Sequence, residues 1–184
     1  MKPAKIQRYA ALLRGVNVGG HRKIPMADLA RIAAEAGLAN PQTLLQSGNV
    51  VFEAAPRAPE AAARLSLALE RAFGEAIDVT VRDHAALTAV VEADPFPEAA
   101  TREPNRLLIL FAPDPIDTTA IERLSALAAN GERVAAAGGE VAIHYGAGVG
   151  KSRLEGRRVE KAVGNWVTAR NWNTVRKLVE MTAP

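Results

Sequence analysis

The 184-residue chain is 48% hydrophobic, carries a net charge of +3 and contains no cysteine. This composition supports one ordinary domain or two small ones, and it excludes disulfides, thiolate catalysis and thiolate-held metals. No apolar run approaches the roughly eighteen residues of a membrane helix, and the apolar segment near the N-terminus is too short for a signal peptide, so we expect a soluble cytoplasmic protein with no membrane partner.

Positive charge is concentrated near the two ends of the sequence. Residues 1–27 contain six basic residues and no acidic residue, and residues 151–177 contain eight basic residues against Glu155 and Glu160. A fold that brought these segments together would form an anion-binding face. The alternative is that both segments are ordinary solvated helix surfaces.

The first half of the sequence predicts the element order β-α-β-β-α-β. Apolar residues at helical spacing follow Pro25, which suits the first turn of a helix, and a polar hinge at Ser47-Gly48 separates two strand-like runs. The predicted elements are a strand at 8–14, a helix with Met26, Leu29, Ile32, Ala33 and Ala36 on one face, a hairpin at 42–54, a helix with Leu65, Leu69, Ala72 and Phe73, and a strand at 77–83. This order is that of the ferredoxin-like, or split βαβ, unit, in which both helices cover one face of an antiparallel sheet.

The second half repeats most of this pattern. The predicted elements are a strand at 106–111, a helix carrying Ile121, Leu124 and Leu127, a hairpin turning at Gly138-Gly139, a helix opened by a Ser152/Glu155 capping box, and a terminal helix where the fourth strand would be. The proline-rich and charged stretch between the halves predicts a linker. We therefore expect an α+β fold of two tandem ferredoxin-like units with antiparallel sheets, at 1–94 and 105–184 around a linker at 95–104, with an extra C-terminal helix.

Three stretches resemble a known family. RYAALLRGVNVGGHRKIPMADL, LLQSGNVVFEA and TARNWNTVRKLVEM are similar, in this order along the chain, to the bacterial family catalogued as domain of unknown function 1697. The resemblance implies two ferredoxin-like halves, and it implies no activity.

The first candidate site is the loop GVNVGGHRK. Its glycines permit positive φ angles, and successive N–H groups in such a loop can form a concavity that binds anions. The residues that we expect to take part are Arg14, Asn17, Gly19, Gly20 and Lys23, next to a helix start with its positive dipole end. Alternatively, the glycines only turn the chain and Asn17 satisfies backbone groups.

The second candidate site is the segment TARNWNTVRKL. Arg170 is suited to bidentate phosphate or carboxylate binding, Trp172 offers a stacking surface, and Asn171 and Asn173 offer hydrogen bonds. Asn173 or Thr174 is also a candidate helix N-cap. Alternatively, Trp166 and Trp172 only pack the last helix onto the sheet.

Two further motifs receive weaker assignments. GAGVGKS at 146–152 resembles the end of a P-loop, but Tyr145 stands where the first glycine is required, so we expect at most an anion contact from Gly148, Gly150, Lys151 and the following helix. Ser47 in QSGN lacks a histidine partner, so it is assigned to turn chemistry and not to catalysis.

The function that these residues favour is binding of a phosphorylated or nucleotide-like small anion. No activated nucleophile or acid/base pair is evident, the three histidines are far apart, and we expect no metal and no cofactor. The alternatives are a nucleic-acid-binding module on an open sheet face, which the low aromatic content of 4% disfavours, and a structural or dimerisation protein.

Overall fold

The computed structural model describes residues 6–18, 22–54 and 58–184. The described residues divide into two units, one reaching to His84 and joined by Leu178–Pro184, and the other comprising Ala85–Lys177. Over this part of the chain, no helix combines the length and the apolar character that crossing a membrane requires.

The first unit has the predicted order β-α-β-β-α-β. Its elements are β1 (Gln7–Leu13), α1 (Met26–Glu35), β2 (Ala39–Leu44), β3 (Asn49–Ala54), α2 (Ala58–Phe73) and β4 (Val79–Asp83). The strands form an antiparallel sheet in the order β2-β3-β1-β4, with Ala10 of β1 opposite both Val51 and Arg82. This is the ferredoxin-like order, so the prediction is confirmed for this unit.

The core of the first unit lies between one face of this sheet and its two helices. Alternate residues of β1, namely Tyr9, Ala11 and Leu13, share this core with Leu29 and Ile32 of α1 and with Leu65 and Leu69 of α2. The helical stripes predicted from the sequence therefore lie on the buried faces of α1 and α2, except for Ala72, which is exposed.

The second unit contains the same arrangement and further helices. Its elements are α3 (His84–Ala93), α4 (Pro97–Arg102), β5 (Leu107–Phe111), α5 (Thr118–Leu127), β6 (Glu132–Ala137), β7 (Glu140–Tyr145), a short 3₁₀ helix (Val149–Lys151), α6 (Gly156–Val163), β8 (Thr168–Asn171) and α7 (Trp172–Thr182). The predicted linker, residues 95–104, contains α4. The division into domains at 1–94 and 105–184 stays a prediction. The last residues of α7, from Leu178, group with the first unit.

The fourth strand of the second unit is β8, where the sequence predicted a helix in place of a strand. The sheet order is β6-β7-β5-β8, and Ile109 of β5 lies opposite Arg170 of β8. That part of the prediction was wrong because the two residues of β8 that point inward, Thr168 and Arg170, are polar, so the strand lacks an apolar alternation.

The fourth strands of the two units share a local structure as well as a position. β4 contains Thr80-Val81-Arg82 and β8 contains Thr168-Ala169-Arg170, and each is followed directly by a helix. In both, Nη1 of the arginine donates to the hydroxyl of the threonine two residues earlier, at 2.6 Å in β4 and 2.7 Å in β8. The same Nη1 also donates to the intervening carbonyl, at 3.1 and 2.8 Å. The shared Thr-x-Arg structure supports an internal repeat.

Candidate functional site

Asn17 holds the predicted anion-binding loop in its folded conformation. It adopts a φ of 55°, which asparagine tolerates better than most residues. Its Nδ2 donates to the carbonyls of Ile24 and Gln46, at 3.0 and 2.7 Å, and its Oδ1 accepts from Ile24 N at 2.9 Å. The side chain thus ties the loop to Ile24, just before helix α1, and to the β2–β3 turn, and its polar atoms bond to the protein itself.

The two arginines of this loop have carboxylate partners. Arg14 Nη1 lies 2.7 Å from Asp78 Oδ2, and Arg22 Nε lies 3.0 Å from Glu75 Oε2. Lys23 is exposed, while Gly19 and Gly20 lie outside the described residues. An anion at this loop would compete with Asp78 and Glu75 for the arginines.

The polar residues of the second candidate segment are used by β8 and α7. Arg170 is buried, and this desolvation lowers its pKa to about 10. Asn171 Oδ1 accepts from both N and Oγ1 of Thr174 at 2.9 Å, so Asn171 caps α7, and the predicted caps Asn173 and Thr174 were wrong. Trp172 is 3% exposed, whereas Asn173 is exposed.

The two predicted clusters lie in different units. Arg14, Asn17 and Lys23 belong to the first unit, and the segment 170–173 belongs to the second. As ligand-binding residues, Arg14, Asn17, Lys23, Arg170, Asn171, Trp172 and Asn173 stay a prediction.

The turn chemistry assigned to Ser47 matches its contacts. Ser47 Oγ accepts from Asn49 Nδ2 at 3.0 Å, and the same Nδ2 donates to the carbonyl of Leu44 at 2.8 Å. Asn49 is fully buried. These bonds close the β2–β3 turn from inside.

The GAGVGKS segment uses its own backbone donors. The N–H groups of Gly148, Lys151 and Ser152 bond to the carbonyls of Tyr145, Gly148 and Val149 at 2.8, 3.1 and 3.0 Å. Helix α6 begins only at Gly156. The segment therefore does not present the continuous row of open N–H groups that a P-loop directs at phosphates.

Ser152 has a different role from the predicted capping box. Its Oγ donates to Glu132 Oε1 at 2.5 Å and accepts from Leu154 N at 2.9 Å, so Glu155 caps α6 without a side-chain bond. Glu132 also accepts from the N–H groups of Ala129 and Asn130, at 3.0 and 2.6 Å. The Ser152 hydrogen bond and these donors hold the pKa of Glu132 at about 2. The predicted capping box was therefore wrong, because the buried carboxylate competes for the hydroxyl.

Four cations of α6 and the preceding segment form what we call the α6 basic surface: Arg153, Arg157, Arg158 and Lys161. A depression of about 670 Å³ at the start of α6 is lined by Ser152, Glu155, Gly156 and the three arginines. Within the described residues, no carboxylate lies within the 4.0 Å ion-pair distance of any of these four side chains. This separates the surface from the loop arginines, which are paired.

A second depression, of about 480 Å³, lies between α5 and α6. It is lined by Arg123, Ala126, Leu127, Arg158, Lys161 and Ala162, so Arg158 belongs to both depressions. Leu127, one of the apolar residues that predicted helix α5, is 41% exposed.

A cluster in the second unit that the sequence did not indicate joins Glu103, Arg133 and His144. His144 Nε2 lies 2.8 Å from Glu103 Oε2, and His144 Nδ1 lies 3.2 Å from Arg133 Nη2. Because a guanidinium only donates, Nδ1 is the acceptor and Nε2 carries the proton. The hydrogen bond from His144 and the charge of Arg106 lower the pKa of Glu103, and Arg133 lies 4.8 Å above the Phe96 ring.

This cluster borders a cavity of about 490 Å³. Both ring nitrogens of His144 are engaged, so the imidazole has no lone pair directed at a substrate in this arrangement. Arg133 and His144 are 11 positions apart in sequence, and Glu103 and His144 are 41 positions apart, so no local motif relates the three residues. Among the described residues, no group of three His, Asp or Glu side chains is arranged to hold a metal ion.

The sheets present no exposed aromatic side chain in the described strands. The four aromatic residues in strands, Tyr9, Phe52, Phe111 and Tyr145, are at most 3% exposed. An RNA-binding sheet face relies on such side chains for base stacking.

A family model described as "Protein of unknown function (DUF1697)" matches residues 6–141. The chain belongs to the DUF1697 family. A conserved bacterial protein, SP0830 from Streptococcus pneumoniae, has a solved structure similar to this chain, with a TM-score of 0.75 and 21% sequence identity over 97% of this chain and 100% of the other. The likeness shows a shared fold. A search of curated proteins gives no match.

Proposed function

We propose that this DUF1697 protein binds a phosphorylated small molecule at the α6 basic surface. The observation that carries the proposal is the depression of about 670 Å³ bordered by Arg153, Arg157 and Arg158, none of which has an ion-pair partner among the described residues. A dianionic phosphate in this depression would neutralise charge that the folded protein leaves uncompensated.

The chemistry of the surface suits phosphate. A guanidinium group presents paired N–H donors that match two phosphate oxygens, and such charge-assisted bonds are stronger than neutral ones. The depression also borders Gly156, the first residue of α6, at the positive end of the helix dipole. In this first turn the N–H of Arg158 bonds to the Glu155 carbonyl at 3.2 Å. Glu155 also lines the depression and disfavours anions without removing the net positive charge.

The predicted loop site is the competing location within the same function. There, Arg14 would have to exchange Asp78 for the ligand, and Asn17 would have to give up bonds that hold the loop. Both exchanges cost free energy, whereas a ligand at the α6 basic surface displaces no ion-pair partner.

A residue-resolved NMR titration tests the proposal. Inorganic phosphate, glucose 6-phosphate and AMP are added to the full chain up to about 10 mM, a range that detects the weak affinities of single anion contacts. We expect amide shifts concentrated at residues 153–161. Arg158→Gln should weaken binding by about tenfold, because a charge-assisted hydrogen bond contributes roughly 1.5–3 kcal/mol.

Arg14→Gln is the matched control, since it removes the same charge from a paired arginine. We expect it to leave the affinity unchanged. Shifts centred on residues 14–23, with weakening by Arg14→Gln alone, would move the site to the loop. The absence of shifts with all three anions would show that small phosphates are not the ligands.

A further inference from the structure

The α5–α6 depression has a different character from the basic depression next to it. Its lining combines the aliphatic side chains of Ala126, Leu127 and Ala162 with the cations Arg123, Arg158 and Lys161. Leu127 is one of the large apolar side chains that the protein leaves exposed, at 41%. A single exposed leucine is ordinary on a protein surface. What distinguishes Leu127 is that it lines a depression together with two alanines and three cations.

Arg123 forms a fixed wall of this depression. Its Nε donates to the carbonyl of Ala162 in α6 at 2.7 Å, and its Nη1 donates to Thr119 Oγ1 in α5 at 2.9 Å. The side chain thereby bridges the two helices. Arg158 and Lys161 have no ion-pair partner among the described residues and are available to a ligand.

Arg158 connects the two depressions. It lines the basic depression at the start of α6 and also the aliphatic depression between α5 and α6. A single ligand with its anionic group among the arginines and an apolar portion on Leu127 would therefore contact one continuous surface. The aliphatic depression, of about 480 Å³, lies in the size range of small-molecule sites.

We propose that the ligand of the α6 basic surface is an amphiphile, an alkyl or acyl chain ending in a phosphate, whose chain lies in the α5–α6 depression. This inference rests on the proposed phosphate binding and adds the chemical class of the remainder of the ligand. An aliphatic chain fits better than a nucleobase, because the lining side chains include no aromatic ring for stacking and no amide, hydroxyl or carboxylate for the base edge.

The affinities of octyl phosphate, inorganic phosphate, AMP and octanol for the full chain, measured below micelle-forming concentrations, test this inference. We expect octyl phosphate to bind at least about tenfold more tightly than inorganic phosphate, which corresponds to about 1.4 kcal/mol. AMP should gain nothing over phosphate, and octanol should bind more weakly than octyl phosphate because it lacks the charge.

Two variants test where the alkyl chain and the phosphate of octyl phosphate bind. Leu127→Ser should reduce the affinity for octyl phosphate to that for inorganic phosphate while leaving inorganic phosphate binding unchanged. Lys161→Gln should weaken octyl phosphate binding. Leu67→Ser is the matched control, since Leu67 is an exposed leucine of α2 in the first unit, 48% exposed, and we expect no effect.

The outcomes separate this inference from the proposed function. Equal affinities for octyl phosphate and inorganic phosphate, or no effect of Leu127→Ser, would overturn the amphiphile while leaving phosphate binding intact. Failure of inorganic phosphate itself to bind would remove the proposed function. Binding to vesicles of phosphatidylcholine and phosphatidic acid, without binding to monomeric octyl phosphate, would contradict a discrete site for one chain.

Discussion

At the residue scale, several polar side chains singled out for binding instead complete the fold. Asn17 bonds to two carbonyls and one N–H of its own unit, and Asn171 caps α7. Asparagine suits these roles because its side chain both donates and accepts hydrogen bonds with the backbone. A single sequence shows that such residues are polar and clustered, but it does not show whether their partners are backbone groups or a ligand.

Glu132 and Ser152 form the buried polar pair with the clearest pH consequence. Because the folded-state pKa of Glu132 is about 2, below its ordinary value of 4.5, this carboxylate stabilises the folded state above pH 4.5. That stability is lost progressively as the pH falls from 4.5 to about 2. We expect Glu132→Gln to unfold at a lower urea concentration than the natural protein at pH 7, with the difference shrinking through this window.

Urea unfolding followed by tryptophan fluorescence measures this effect, because both tryptophans, Trp166 and Trp172, belong to the second unit. Ser152→Ala should also destabilise the unit and shift its acid transition to higher pH, because it removes the largest cause of the lowered pKa of Glu132. Ser125→Ala, at an exposed position of α5, is the control. A Glu132→Gln penalty that did not change with pH would contradict the linkage.

At the element scale, predictions from apolar periodicity were confirmed for α1, α2 and the hairpins. They failed at β8, which has only four residues and polar inward side chains at Thr168 and Arg170. The Thr-x-Arg structure shared with β4 was a usable signal, since Thr80-Val81-Arg82 had been assigned to a strand. The exposure of Leu127 had no such signal. Its spacing places it with the apolar residues of α5, and the sequence does not show that it is the last residue of the helix.

The Gly138-Gly139 turn between β6 and β7 offers a second prediction. Both glycines adopt positive φ angles, of 60° and 88°. A Cβ at Gly138 would lie 2.6 Å from backbone atoms of Ala89 and Val90 in α3, whereas a Cβ at Gly139 would meet nothing within 4 Å among the described residues. Gly139→Ala should cost about 1–2 kcal/mol for the left-handed conformation alone.

Gly138→Ala should carry the same conformational cost and roughly 1–3 kcal/mol more, because the α3 backbone must shift. The comparison of the two urea transitions isolates the steric contribution, since both variants add one methyl group to one turn. Equal stability losses would mean that α3 moves away from this turn at little cost.

At the scale of the whole molecule, the two ferredoxin-like units were predictable because each half of the sequence shows the same pattern of strands and helices. The grouping of Leu178–Pro184 with the first unit was not predictable. It depends on contacts between residues far apart in sequence, such as Arg8 Nη1 donating to the Ala183 carbonyl at 3.2 Å and His84 Nδ1 lying 3.3 Å from Thr182 Oγ1. No local pattern encodes such pairs.

A chain that stops after Lys177 tests this grouping. It lacks Leu178 and Thr182, which are at most 1% exposed. We expect faster amide hydrogen exchange throughout β1 and β4 of the first unit, since loss of one buried leucine side chain costs about 2–5 kcal/mol. Removal of Ala183 and Pro184 alone is the control, and it should change exchange little. Unchanged protection of β1 and β4 in the 177-residue chain would exclude a structural role of this segment in the first unit.

The division of α7 between the two units also has a consequence for folding during synthesis. Domains generally fold as units while the chain leaves the ribosome, with N-terminal segments first. The first unit precedes the second along the chain, but residues 178–184, which group with the first unit, follow the whole of the second. The nascent first unit therefore spends the whole synthesis of the second one unfinished, with the places of Leu178 and Thr182 open to water or to a chaperone.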